Sequence, residues 1–358
     1  MRIAGIKARA VMAPLAQPIS TAQAVIPAAP LVLVDVETDA GVTGTGYIFA
    51  YTPLMLAPLV TFLDGLGETL KGASALPLDV ARQTEAQFRL LGRQGLVGMA
   101  LAGIDLALWD AQGKALGQPV CALLGASPRA LPCYDSQGVF VPGRDEHLIA
   151  ASLDRGFEAI KVKLGFPSVQ EDVAALRVVR DMMGPDRDLM LDYNQAFDAP
   201  DAIRRIRAIE DAGLDLLWVE EPVAAEDFAA YQTVRAAVST PLQSGENWWH
   251  PADAARALAA DTTDYAMPDL IKIGGISGWV QADAMAEAAA VPVSSHLFIE
   301  ASAHALSATR GAQYLEWLDV AGGLMAEPLA LDQGRVAARG PGLGIVWDPD
   351  KVAHHAVT

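Results

Sequence analysis

Cysteine is scarce: Cys121 and Cys133 are the only two in 358 residues, and they form no Cys-x-x-Cys unit. No disulfide framework can be built from them, so two buried thiols in a reducing cytoplasm are expected. Positive charge is also short. Twenty-six Lys and Arg face 43 Asp and Glu, a net charge of −17, which opposes binding to a phosphate backbone or an anionic membrane surface. An anionic ligand must therefore meet cations supplied locally by Lys, Arg or a metal. Charged residues make up 19% of the chain and hydrophobic ones 52%, which excludes disorder. The richest apolar stretch, residues 95–111, carries Asp105 and Asp110 and predicts a buried helix, not a membrane span. The N-terminal segment is broken by Pro14 and Pro18, and no signal peptide is expected. Also missing are Gly-x-x-x-x-Gly-Lys-Ser/Thr, Gly-x-Ser-x-Gly and His-Glu-x-x-His, the signatures of phosphate cradles, serine elbows and zinc proteases.

What is present falls into two textures. Up to about residue 125 the pattern predicts an α+β unit. Leu31–Glu37 and Val42–Ala50, joined across Gly41, read as a hairpin. Helices follow at Leu54–Lys71, Asp79–Leu91 and Gly95–Leu116, with glycines near their ends. Ala16–Pro30 shows no clear periodicity and is expected to be a lid loop. From Leu131 onward, short apolar runs alternate with Ala-rich helical segments, the mark of βα units. Strands are predicted at 131–134, 159–164, 189–193, 216–220, 241–245, 265–267, 291–295 and 313–317, enough to close an eight-stranded barrel. The division expected is a 1–125 capping unit, a 126–320 barrel, and a Gly- and Pro-rich segment, 321–358, that returns to the cap.

In such a barrel catalytic groups sit at the C-terminal ends of the strands. Those ends carry Lys161 and Lys163, Asp192, Glu220, Glu246, Asp269, His296 and Glu316, spaced one βα unit apart. So many ionisable groups in one pocket are costly unless they pair with each other or with a metal. Asp192, Glu220 and Glu246 fall on adjacent strands, and three hard carboxylates suit Mg²⁺. Lys161 and Lys163 share one face of their strand. Their mutual repulsion is expected to lower one pKa toward that of a general base. Asp269, one strand before His296, is placed to fix its tautomer. Glu316 lies among large apolar neighbours and is expected to be protonated, a hydrogen-bond donor. Glu221 is expected to point away from Glu220, as a hydrogen-bonding group. The other five histidines lack such a setting.

Ordered motifs run along nearly the whole chain: Ala29-Pro30-Leu31-Val32-Leu33, Phe49-Ala50-Tyr51-Thr52-Pro53, Ala102-Gly103-Ile104-Asp105, Tyr134-Asp135-Ser136, Lys161-Val162-Lys163, Asp192-Tyr193-Asn194-Gln195, Glu220-Glu221-Pro222, Gly245-Glu246-Asn247-Trp248, Lys272-Ile273-Gly274-Gly275 and Ser294-Ser295-His296-Leu297-Phe298. In these the sequence resembles the enolase superfamily and, within it, the mandelate racemase group. The resemblance implies an α/β fold, a modified TIM barrel (β/α)7β with an N-terminal capping domain. It implies Mg²⁺ on Asp192, Glu220 and Glu246, with Lys163 and His296 as bases on opposite faces of a substrate α-carbon. It further implies Asp269 as partner of His296, Lys161 on the substrate carboxylate, Glu316 as an acid toward that carboxylate, and Asn194 and Ser136 as polar contacts. Ile19, Gln23, Ile26 and Tyr51 would line the cap, with Gln23 setting an amide in an otherwise aliphatic lid. The function expected is racemisation of a 2-hydroxy carboxylate, mandelate or a related acid, by two-base 1,1-proton transfer through an enediolate. The alternatives are an acid-sugar dehydratase and a metal-binding barrel without turnover. The partners expected are a small carboxylate and further copies of the chain.

Overall fold

The computed structural model of the protein describes residues 1–20 and 25–357. Its N-terminal part is an antiparallel sheet of three strands, β1 (Ile3–Ser20), β2 (Val25–Thr38) and β3 (Thr43–Phe49), in that spatial order. Every residue from Leu31 to Val34 is buried, on both faces of the central strand. The helix Gly95–Leu116 lies against β3 closely enough that a Cβ at Gly44 would run into the backbone carbonyl of Ala107. The helix Leu56–Leu70 buries Leu56, Leu59, Leu63, Leu66 and Leu70 at helical spacing, each contributing about 1.5–3 kcal/mol. The three helices stand where the sequence puts them, although the second runs Pro77–Gln87 rather than 79–91.

The stretch 16–30 is not a loop where it is described. β1 and β2 continue through it, pairing Ile19 with Ile26 and Ser20 with Val25 after a register shift beyond Pro14. Pro14 and Pro18 break the two-residue alternation and hide the strand. Gln23 lies outside the described residues.

The second sheet is parallel: β4 (Leu131–Val139), β5 (Ala159–Lys163), β6 (Asp188–Asp192), β7 (Trp218–Glu220), β8 (Leu242–Ser244), β9 (Tyr265–Ala266) and, pairing back to β4, β10 (Leu315–Trp317). The gap between β9 and β10 is closed by residues 293–296. Ser294 donates its N–H to Ala266 O at 2.9 Å, and Gln313 donates to Val293 O at 2.8 Å. The ring thus has eight positions. Residues 291–296 form only single bridges, at Val293 and His296, and Pro292 cannot donate to a ladder. Helices follow the first seven positions, and Ile160 and Val162 of β5, with Leu164 just beyond it, pack outward against them with Leu176 and Val179. The C-terminal segment returns to β1: Met12 donates its N–H to His355 O, and Val357 donates to Ala10 O. Among the described residues, no helix is long and apolar enough to cross a membrane.

Candidate active site

Strand register sets the site. Lys163, Asp192 and Glu220 are direct lateral neighbours across β5, β6 and β7. Glu246 follows just past β8. There Gly245 adopts φ of +135°, and an added Cβ would sit 2.9 Å from the backbone nitrogen of Met267, so only glycine lets the chain turn that carboxylate inward. Asp269 bridges laterally to His296. Lys163 and His296 thus stand at the second and seventh ring positions, with Asp192, Glu220 and Glu246 on the arc between them.

The charges are buried and paired. Lys161 Nζ lies 2.8 and 2.9 Å from the two oxygens of Glu220 and 2.9 Å from Glu316 Oε1. Lys163 Nζ donates to Asp192 Oδ2 at 2.6 Å and to Asn194 Oδ1 at 3.1 Å. Asn194 in turn donates to Asp192 through its backbone N–H (2.7 Å) and its side-chain amide (2.8 Å). The His296 ring spans two carboxylates, with Nδ1 2.7 Å from Asp269 Oδ2 and Nε2 3.1 Å from Glu246 Oε2. The other oxygen of Asp269 caps the turn Leu270–Ile273, accepting from the N–H groups of Ile271 and Lys272.

Two sequence expectations about protonation are corrected. Burial does lower the proton affinity of Lys163, and Lys161 adds to that, but Asp192, Glu246 and Glu220 outweigh both and raise its pKa above the ordinary lysine value. The lysine pair is therefore not self-depressing, because carboxylates from other strands lie 2.6–2.9 Å from each ammonium. Glu316 is likewise not a neutral acid. Burial favours its protonated form, yet Lys161, His296 and the N–H of Leu297 (2.9 Å) hold it well below the usual carboxylate range. Its apolar sequence neighbours gave the wrong sign because Lys161, brought in by β5, lies 2.9 Å from its carboxylate.

His296 follows the same pattern as Lys163. Burial lowers its affinity for a proton, but Glu246, Glu316 and Asp269 together raise its pKa from 6.5 to about 9. Burial also raises the pKa of Glu220, opposed by Lys161 and reinforced by Asp192 and Glu246. That mutual repulsion shows the three carboxylates sharing one field, and it is the strain a divalent cation relieves. Their hard oxygens and the buried, partnerless Oε1 of the adjacent Glu221 fit such an ion. As the side chains stand among the described residues, no three of them form a closed metal cage; Lys161, Lys163 and His296 occupy the oxygens instead.

Two polar residues went unrecognised in the sequence. Lys272 Nζ donates to Asn247 Oδ1 at 2.7 Å, and Asn247 Nδ2 donates to Glu221 at 2.8 Å and Glu246 at 3.1 Å. Both lie in quoted motifs, next to Glu246 and three residues after Asp269, and that adjacency was the available signal.

Above the barrel, a cavity of about 270 Å³ is lined by Leu15, Pro18, Ile19, Ser136, Gln137, Lys163, Trp317 and their neighbours. The Ser136 hydroxyl is buried there without a partner. Ile19 lines the space, while Ile26, its cross-strand partner, is half-buried beside the core. Tyr51, at φ of +60°, reaches from the cap to Asp269 Oδ2 at 3.5 Å.

Comparison with known proteins identifies the family. Residues 3–125 match the mandelate racemase / muconate lactonizing enzyme N-terminal domain, and residues 145–351 match the enolase C-terminal domain-like family. A crystal structure of an enolase from Bradyrhizobium complexed with magnesium and mandelic acid superposes with a TM-score of 0.97 at 47% identity, over 100% of this chain and 99% of that one. A 3,6-anhydro-alpha-L-galactonate cycloisomerase from Streptomyces coelicolor is 31% identical over 91% of both chains. An L-talarate/galactarate dehydratase from Salmonella typhimurium is 32% identical over 69% of this chain and 62% of its own length. The relatives are enzymes, and solved neighbours hold magnesium. Its two halves, matched in order over most of its length, make this chain a member of the mandelate racemase / muconate lactonizing enzyme family of the enolase superfamily.

Proposed function

We propose that this chain is a Mg²⁺-dependent racemase of a 2-hydroxy carboxylate, mandelate or a related acid. The observation that carries the reading is the placement of two proton-transfer groups, Lys163 and His296, at the two ends of one carboxylate arc. Inversion at carbon needs a base on each face. Asp192, Glu220 and Glu246 are the residues to hold Mg²⁺, which when bound supplies positive charge against the negative charge that develops on the substrate carboxylate.

The protein groups do the rest. Lys161, fully buried between Glu220 and Glu316, is the cation for the substrate carboxylate. As Lys161 turns to the substrate, Glu316 loses the largest of the influences that keep it ionised, and its proton affinity rises when a donor to the enediolate is needed. Lys163 is held protonated by Asp192. Were Asp192, Glu220 and Glu246 all engaged by a cation, burial and Lys161 would be left to lower the Lys163 pKa toward that of a base. Asp269 accepts from His296 Nδ1–H, which leaves Nε2 as the atom that takes or gives the proton on the other face. The partnerless Ser136 hydroxyl and the Asn194 amide are the polar contacts for the substrate. Ile19, Ile26 and Tyr51 form the cap wall, and Gln23 belongs to the same lid.

A second reading, an acid-sugar dehydratase, is favoured by the similarity to the talarate/galactarate enzyme and by the polar Gln137 and Arg155 on the cavity wall. It begins with the same proton abstraction and ends in loss of a β-hydroxyl, with His296 as acid. Incubating the Mg²⁺-loaded protein with each mandelate enantiomer in D₂O tests the racemase: deuterium at the α-carbon with racemisation is expected. No exchange with mandelate, and a 2-keto product from acid sugars, would replace the racemase with the dehydratase.

A further inference from the structure

Asn247 lies between one cation and two carboxylates, and only one orientation of its amide satisfies all three. A lysine ammonium is only a donor, so it must face Oδ1, and that leaves Nδ2 to face the acceptor oxygens of Glu221 and Glu246. That is the arrangement present, with Lys272 Nζ 2.7 Å from Oδ1 and Nδ2 2.8 and 3.1 Å from Glu221 and Glu246. The ammonium is itself fixed. Lys272 is buried, lies in the turn capped by Asp269, and stands 4.7 Å from the centre of the Tyr51 ring, a favourable cation–π distance. Tyr51 belongs to the cap and reaches Asp269 at 3.5 Å.

We infer that Lys272 is a positioning residue for the metal site: it locks the Asn247 amide so that its NH₂ group, not its oxygen, faces Glu221 and Glu246. Without the ammonium the amide is free to flip, and its oxygen would then meet two carboxylates. Glu246 would lose the hydrogen bond that fixes the orientation of a metal ligand. Outer partners of this kind carry about 10- to 100-fold in metal affinity. The inference rests on Glu246 being a ligand, and the test separates the two.

Mg²⁺ binding is measured by calorimetry, without substrate, on the wild type, E246Q, K272M, N247L and K272M/N247L. K272M and N247L should each weaken binding by about tenfold. The double variant should bind no worse than the weaker single one, since both break the same chain of contacts. If K272M does not fold, K272Q takes its place in the cycle. Wild-type affinity in K272M, or losses that multiply in the double variant, would overturn the inference while a loss of binding in E246Q leaves the proposed function standing. Unchanged binding in E246Q would instead remove the metal assignment itself.

Discussion

Asp269→Asn is the most informative single change. Asp269 Oδ1 accepts from the N–H groups of Ile271 (2.7 Å) and Lys272 (3.1 Å), while Oδ2 faces His296 Nδ1 at 2.7 Å. An amide keeps the helix cap by leaving its oxygen in the first position, which puts its NH₂ in the second. A donor there forces His296 Nδ1 to accept, so the ring proton moves to Nε2, the atom meant to receive the substrate proton. Asp269 is also one of three carboxylates that raise the His296 pKa to about 9, so the basicity of the ring falls as well. Reversing the tautomer of an Asp-supported histidine costs about 10⁴-fold in rate, or roughly 5 kcal/mol of barrier. The assay is proton NMR of α-proton exchange in D₂O, run separately on each mandelate enantiomer. Exchange should collapse by that factor for the enantiomer that presents its proton to His296 and persist for the one that meets Lys163. Equal loss for both, with Mg²⁺ binding intact, would refute two independent bases.

Lys163→Ala should give the mirror result: one enantiomer stops exchanging, and the other exchanges through His296 without inverting, read by the same spectra. In the metal-free protein, the stabilisation tied to protonated His296 is fully present below about pH 6.5 and is lost as pH rises through about 9. Urea denaturation should therefore show the stability gap between wild type and His296→Asn shrinking by about 3 kcal/mol between pH 6 and pH 10; a pH-independent gap would contradict the pairing. Asp172 is buried against Arg205 and accepts from Tyr193 OH (3.2 Å) and the N–H of Phe166 (2.9 Å). Asp172→Ala should cost about 3–5 kcal/mol in the same denaturation assay, because it strands a buried guanidinium.

The barrel was legible because each βα unit repeats one physical pattern, and the row Lys163, Asp192, Glu220 follows from strands that end level with one another. The period-two face shared by Lys161 and Lys163 was equally readable. What the sequence hid depends on contacts between distant residues. Pro14 and Pro18 masked the strand that carries the lid, since its pairing depends on residues across the hairpin. The protonation of Lys163 and Glu316 was misjudged because sequence neighbours were weighed, whereas Asp192 and Lys161, brought in by other strands, decide it. Lys272 and Asn247 stand 25 residues apart, and only folding shows that one orients the other.

The most direct measurement is a crystal structure of the protein with Mg²⁺ and mandelate bound. The account predicts the ion on Asp192, Glu220 and Glu246, with Lys163 Nζ and His296 Nε2 on opposite sides of the α-carbon, each within about 3.5 Å. An ion held elsewhere, or both nitrogens on one side of that carbon, would contradict it.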